Sequence, residues 1–296
     1  VFGADHIYRM DVRQMVRFHC EQNADASVAA IPVPLDQASG FGIIETDAGG
    51  RITGFQEKPE QATPMPGDPQ RAYASMGNYL FGADLLRTAL EEAHQRGETD
   101  FGQHVLPRLS QSHRVYAYNF ATNVVPGTKP YEEPGYWRDV GTLDAYFDAH
   151  LDVLGLEPCF DAFNPKWPIY SSHYQGPTAR VLRGELDNVL LGSGAIVKEA
   201  TIRNSLLRRE VVVETGAQID DCVIMDYVCI GAGARLRRVI IDRHNRIEPG
   251  AQIGYDHDRD RAAGYHVTEG GLVVIPLGDV GYYSREGYRT SGGYSE

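Results

Sequence analysis

Two periodicities divide the chain. In its first half, apolar positions recur at helical intervals in some segments and as continuous strand-like runs in others. Val12, Met15, Val16 and Cys20 fall at helical spacing within residues 11–21. Residues 27–33 form an apolar run of the kind a buried strand carries, ended by prolines. Residues 42–45 and 51–55 flank Asp47-Ala48-Gly49-Gly50, whose residue types suit a hairpin turn. Residues 73–81 read as a further strand, and residues 83–94 as a helix with Leu86, Ala89, Leu90 and Ala93 on one face. Helices over residues 101–109 and 142–151 enclose a strand over residues 115–118. This alternation predicts an α/β sheet covered on both faces, whose ligands gather at the carboxyl ends of the strands.

Near Asp152 the pattern breaks, and Pro158, Pro165, Trp167, Pro168 and Pro177 punctuate a linker. From Leu190 onward aliphatic residues fall at Leu190, Ile196, Ile202, Leu207, Val213, Ile219, Ile224, Ile230, Leu236, Ile241, Ile247 and Ile253, at intervals of 6, 6 and 5 that repeat. Neither a helix nor a flat strand has that period. A parallel β-helix of four three-sided coils, 17 residues each, does, because one inward aliphatic per side builds a continuous core. Gly192, Gly194, Gly216, Gly231, Gly233 and Gly250 are expected at its corners with positive φ. After Val274 the chain is rich in Gly, Tyr and Ser and reads as a loosely held tail. The expected division is residues 1–152, a linker over 153–185, a β-helix over 186–275 and a tail over 276–296.

Composition narrows the function. With 296 residues, 42% hydrophobic and 23% charged, the chain has the balance of a globular protein of about two domains. A net charge of −12 disfavours nucleic acid and anionic membranes as partners. No apolar run approaches the ~20 residues that cross a bilayer, and the N-terminus lacks the pattern of a signal peptide. Four scattered cysteines, Cys20, Cys159, Cys222 and Cys229, point to a reduced, cytoplasmic protein. The chain opens on Val1, inside what reads as the end of a buried strand, so it is expected to be a fragment.

Several residues are candidates for chemistry. Asp5, at the end of the opening strand, is placed to hold a divalent cation over a phosphate, although Asp5 or Asp11 would equally cap the following helix. Lys58 suits a phosphate and Glu57 suits sugar hydroxyls, against the alternative of a solvated turn. Ser75-Met76-Gly77 reads as packing. In Tyr136-Trp137-Arg138-Asp139-Val140-Gly141-Thr142, Thr142 caps the next helix, and Asp139 either completes a two-carboxylate site with Asp5 or pairs with Arg138. Asp256-His257-Asp258-Arg259-Asp260 reads as a solvated exit loop, and His244 falls at a coil position where a β-helix acyltransferase could use a base, although most single histidines there have no chemical role.

Taken together, Asp5-His6-Ile7-Tyr8-Arg9-Met10-Asp11, Ala38-Ser39-Gly40-Phe41-Gly42, Phe55-Gln56-Glu57-Lys58-Pro59, Ala74-Ser75-Met76-Gly77-Asn78-Tyr79, Tyr136 to Thr142 and Asn164-Pro165-Lys166-Trp167-Pro168-Ile169 resemble the bacterial glucose-1-phosphate adenylyltransferase family over roughly residues 1–275. The resemblance implies a Rossmann-like nucleotidyltransferase domain, incomplete at its N-terminus, followed by a left-handed parallel β-helix. It implies formation of ADP-glucose and pyrophosphate from ATP and glucose 1-phosphate for glycogen synthesis, with Mg²⁺ on Asp5 and Asp139. Lys58 would hold the sugar phosphate, Glu57 and Ser75 the glucose, and Gly42 would line the sugar nucleotide. A homotetramer under control of a small-metabolite effector is implied as well. The family's Gly-rich ATP loop does not occur in these 296 residues, so the chain by itself is expected to have little activity. The competing readings are a related enzyme using another nucleoside triphosphate, a non-catalytic regulatory subunit, and a β-helix acyltransferase dependent on His244.

Overall fold

The computed structural model describes residues 1–170 and 174–278; of the tail expected over 276–296, everything from residue 279 lies outside the described residues. The chain forms two compact units. The first comprises Val1–Thr128 and Glu133–Arg138, the second Lys129–Glu132 and the chain from Asp139 onward.

In the first unit, strand β1 (His6–Tyr8) leads into helix α1 (Val12–Glu21), then β2 (Ala26–Pro34), β3 (Gly42–Thr46), β4 (Ile52–Glu57), β5 (Arg71–Phe81), α2 (Ala83–Arg96), α3 (Leu106–Ser112), β6 (Val115–Asn119) and β7 (Trp137–Asp139). The main sheet has the order β4-β3-β5-β2-β6; β2 and β6 are parallel and the other pairs antiparallel. Period-two alternation sorts β2 onto two layers. Ala26, Val28 and Ala30 pack with Ala89, Leu106 and Leu109 of α2 and α3, whereas Ala29 and Ile31 pack with Met15 and Phe18 of α1. Both faces are therefore covered, as the alternation predicts. The Asp47 carboxylate accepts the N–H groups of Gly49 and Arg51 and closes the β3–β4 hairpin. Asp11, not Asp5, caps α1 by accepting the Arg13 N–H at 3.1 Å.

The opening residues differ from the buried strand end expected of them. The Tyr79 N–H donates to the Val1 carbonyl and the Gly3 N–H to the Gly77 carbonyl, so residues 1–3 do form a rung along β5. Val1 and Phe2 are nevertheless 47% and 42% exposed, because backbone pairing alone holds this rung.

The second unit is a parallel β-helix with helix α4 (Leu143–Leu151) laid on it. Thr142 caps α4, accepting the Ala145 N–H, and Phe147 packs on Val223, Met225, Ile240 and Leu272. Register carries the expected period from the second coil on: Ile202, Ile219, Leu236 and Ile253 stack, as do Leu207, Ile224 and Ile241, and Val213, Ile230 and Ile247. The first coil corrects the expectation. Leu191 lies opposite Leu207 and Val197 opposite Val213, so this coil is one residue shorter, and Leu191 and Val197, not Leu190 and Ile196, join the core. Gly194, Gly216, Gly233 and Gly250 have the expected positive φ, but Gly192 and Gly231 do not. At those two a Cβ would lie 2.6 Å from the Arg208 carbonyl carbon and 2.5 Å from the Pro249 nitrogen, so they are small because the next coil lies against them.

Asp256 to Asp260 is not a solvated loop. Asp256 accepts the N–H groups of Asp258 and Arg259 and starts helix α5 (His257–Ala262), which buries Asp260 to accept the Gly254 N–H at 3.0 Å. His244 stacks on Tyr227 with ring centroids 5.2 Å apart. Asp226 is buried beside Arg208 and Arg209; burial pushes its carboxyl up, but the two guanidiniums outweigh it and hold the group below the usual carboxylate range. All four cysteines are free, and no described helix is long and apolar enough to cross a membrane.

Two expectations follow. Truncating Val197→Ala costs about 2 kcal/mol of stability in denaturant unfolding, whereas Ile196→Ala, which removes more carbon, costs less than about 1 kcal/mol; the reverse order would restore the longer first coil. Asp25 takes the backbone N–H and the guanidinium of Arg114, both at 2.8 Å, and these bonds hold its carboxyl down at about 2. A depressed carboxyl stabilises the fold above its ordinary value of 3.8 and stops doing so as pH falls through about 2. Discounted for its partial exposure, Asp25→Asn removes about 1 kcal/mol at neutral pH and flattens the acid limb of stability between those values.

Candidate active site

The site is built around the short pair β1–β7. Trp137 of β7 is buried with Met10, Met15, Met76, Tyr118 and Phe120, and this cluster fixes the pair against the sheet. The boundary between the two units falls within β7, so Asp139, its last residue, continues from Trp137 and Arg138 of the first unit. Asp5 follows the rung of residues 1–3 and directly precedes β1.

This placement brings the two predicted carboxylates together. One donor atom each from Asp5, His6 and Asp139 lie within 4.8 Å of one another. Asp5 and Asp139 are exposed, and the Asp139 carboxylate accepts the Gly141 N–H at 2.9 Å. Arg138 turns to Glu133, with a 2.6 Å contact, and lies over the Tyr136 ring. Because Asp11 has taken the helix cap, the Asp5 carboxylate is left to this cluster. Two hard carboxylate oxygens beside one imidazole are a donor set that fits a divalent cation.

A second group of predicted residues gathers on β3, β4 and β5. Gly42 lies opposite Glu57, and a Cβ on Gly42 would come within 3.1 Å of Glu57 Oε2 and 2.8 Å of Phe55 Cζ. The missing side chain thus leaves room for the Glu57 carboxylate. Lys58 follows with φ +44°, a left-handed backbone that a lysine adopts at a cost, while its N–H donates to the Phe41 carbonyl at 3.1 Å. Ser75 is half-buried on β5, accepts the Gly77 N–H and hydrogen-bonds with the Tyr79 phenol. Burial pushes that phenol up, Ser75 opposes the shift, and the charges of Asp100 and Glu57 add to it. Glu57, Ser75, Tyr79 and Asp100 therefore share one electrostatic environment. The Tyr79 ring stacks on Phe101 at 5.6 Å.

Three residues of these groups are given no role by the sequence reading: His6 and Tyr79, which lie inside its motifs, and Asp100. His6 adjoins Asp5 in sequence, and its neighbour's carboxylate is the signal that was available. Tyr79 sits at even spacing from Ser75, which on a strand is the same-face signal. Asp100 carries the signal of a helix cap, and it does accept the Gln103 N–H.

Comparison with known proteins identifies the family. The profile of the nucleotidyl transferase family matches residues 1–155, and that of the GlmU-like C-terminal hexapeptide family matches residues 177–275. The glucose-1-phosphate adenylyltransferase of Thermodesulfovibrio yellowstonii is 49% identical over 277 residues, covering 93% of this chain and 67% of that protein. Proteins of the same name from Anaeromyxobacter sp. (strain Fw109-5) and Photobacterium profundum are 43% and 41% identical, over 93% and 95% of this chain and 69% and 71% of their own lengths. Nucleotidyltransferases of this kind generally use a divalent metal. With a nucleotidyl transferase match over residues 1–155, a hexapeptide match following it in the sequence and this level of identity, the chain belongs to the glucose-1-phosphate adenylyltransferase family.

Proposed function

We propose that the protein makes ADP-glucose and pyrophosphate from ATP and glucose 1-phosphate, in support of glycogen synthesis. The observation that carries this reading is the convergence of Asp5 and Asp139 in a chain of this family. A phosphate oxygen of glucose 1-phosphate attacks the α-phosphorus of ATP in line, the bond from that phosphorus to the bridging oxygen breaks, and pyrophosphate leaves. Asp5 and Asp139 would hold Mg²⁺, which when bound would supply positive charge to the phosphoryl oxygens. Lys58 presents its ammonium to the sugar phosphate as a point charge, its aim set by the left-handed backbone. Glu57 and Ser75 accept and donate to glucose hydroxyls, Tyr79 backs Ser75, and Gly42 leaves space for the sugar nucleotide.

In this reading residues 1–152 carry the chemistry, 153–185 link, 186–275 form the β-helix and 276–296 a tail. The protein works in the cytoplasm, for which its four free cysteines are suited. It assembles as a homotetramer and answers to a small-metabolite effector.

Release of pyrophosphate, measured with ATP, UTP, GTP and dTTP in turn on a chain in which these residues are joined to a Gly-rich ATP loop, tests the reading. Turnover with ATP at least tenfold above the others is expected; preference for UTP assigns the protein to a different sugar nucleotide. Asp139→Asn lowers kcat by about 10²-fold or more, and unchanged turnover instead marks a non-catalytic subunit. Lys58→Ala raises KM for glucose 1-phosphate by about tenfold or more with a smaller change in kcat, the mark of lost ground-state binding.

A further inference from the structure

We propose that His6 is a third protein ligand of the divalent ion, binding it through Nε2 between Asp5 and Asp139. The proposal rests on the metal reading above and adds a nitrogen donor to it.

The geometry favours a ligand over a packing residue. Nε2 stands 3.6 Å from Asp5 Oδ1, too far for a hydrogen bond and within the ~3–4 Å that separates neighbouring donors on one ion at bonds of ~2.1 Å. The donor atoms of Asp5, His6 and Asp139 all lie within 4.8 Å of one another. The ring is held still. Its side chain is 12% exposed and meets the Trp137 ring edge-on at 5.2 Å. Two glycines make room for it: a Cβ on Gly77 would lie 3.0 Å from His6 Cε1, and one on Gly3 would lie 3.1 Å from Nδ1. Among the described residues Nδ1 has no hydrogen-bond partner, so the carboxylate beside Nε2 is the polar neighbour of this nearly buried imidazole. A nearly buried imidazole held against Trp137, with Nε2 beside the Asp5 carboxylate, is arranged to give its lone pair to a cation. An imidazole in the ligand set shifts preference from Mg²⁺ toward Mn²⁺ and later transition ions.

The test uses the full chain loaded with Mn²⁺, read by pulsed electron paramagnetic resonance. The wild type is expected to show coupling of the ion to a histidine nitrogen, changing from the ¹⁴N to the ¹⁵N pattern when histidine alone is ¹⁵N-labelled. His6→Gln is expected to lose that coupling and to bind Mn²⁺ about tenfold more weakly, while still melting cooperatively. Bound Mn²⁺ without nitrogen coupling in the labelled wild type overturns the proposal, as does coupling that persists in His6→Gln. The wild-type spectra decide the matter even where the variant does not fold. Asp139→Asn separates the two claims. Its loss of Mn²⁺ binding upholds the metal reading whatever His6 does, and wild-type affinity in that variant, or no Mn²⁺ binding by the wild type, overturns both.

Discussion

The arrangement of the first unit depends on an irregularity in its longest strand. Between Tyr79 and Ser75, β5 advances four positions while its partner β2 advances two, from Val28 to Ala30, and Gly77 takes φ +67° in that bulge. A bulge sharpens twist and re-aims the side chains beyond it. Here it buries Asn78 and Tyr79 in succession, sends the Tyr79 phenol back to Ser75, and opens the space that the His6 ring fills. The same stretch pairs with residues 1–3, so the position of Asp5 depends on it as well. A regular strand here would leave His6 no room.

The second unit obeys a different constraint, identity of register from coil to coil. Each inward aliphatic sits above its counterpart, and the core is continuous because the stacking never slips after the first coil. The corners repeat in the same way. Asn188, Asn204, Asp221 and Arg238 occupy equivalent positions, and all four have left-handed φ. Short polar side chains tolerate that backbone, and Asn188 donates to Asn204 at 2.8 Å along the stack. Arg238 lacks that ease. Its guanidinium lies over the Phe147 ring and 3.7 Å from Asp144, so the contact with α4 offsets the conformational cost.

Much of this was legible in the residues, and the failures have physical causes. The β-helix could be read because one aliphatic per side is a long-range repeat that chance does not sustain. Its first coil was misread because Leu190 and Leu191 are adjacent, as are Ile196 and Val197, and only pairing with the next coil decides which one turns inward. Asp256 to Asp260 looked like a solvated loop because mixed charge is ambiguous; burial of Asp260 depends on the Gly254 N–H, a partner defined by tertiary folding. At the site, Asp5 and Asp139 are far apart in sequence and no local pattern brings them together. Motif resemblance supplied the pair, and strand pairing of β1 with β7 explains it. His6 was passed over because a single histidine beside an aspartate is common; what distinguishes it is the pair of glycines around its ring.

The left-handed backbone of Lys58 has one more consequence. Asparagine or glycine would occupy that φ with less strain, so the fold alone would favour replacing the lysine. A copy of this protein freed from its chemical task is therefore expected to gain thermal tolerance by replacing this lysine. Under the proposed role of Lys58, position 58 would record whether a lineage still handles phosphate.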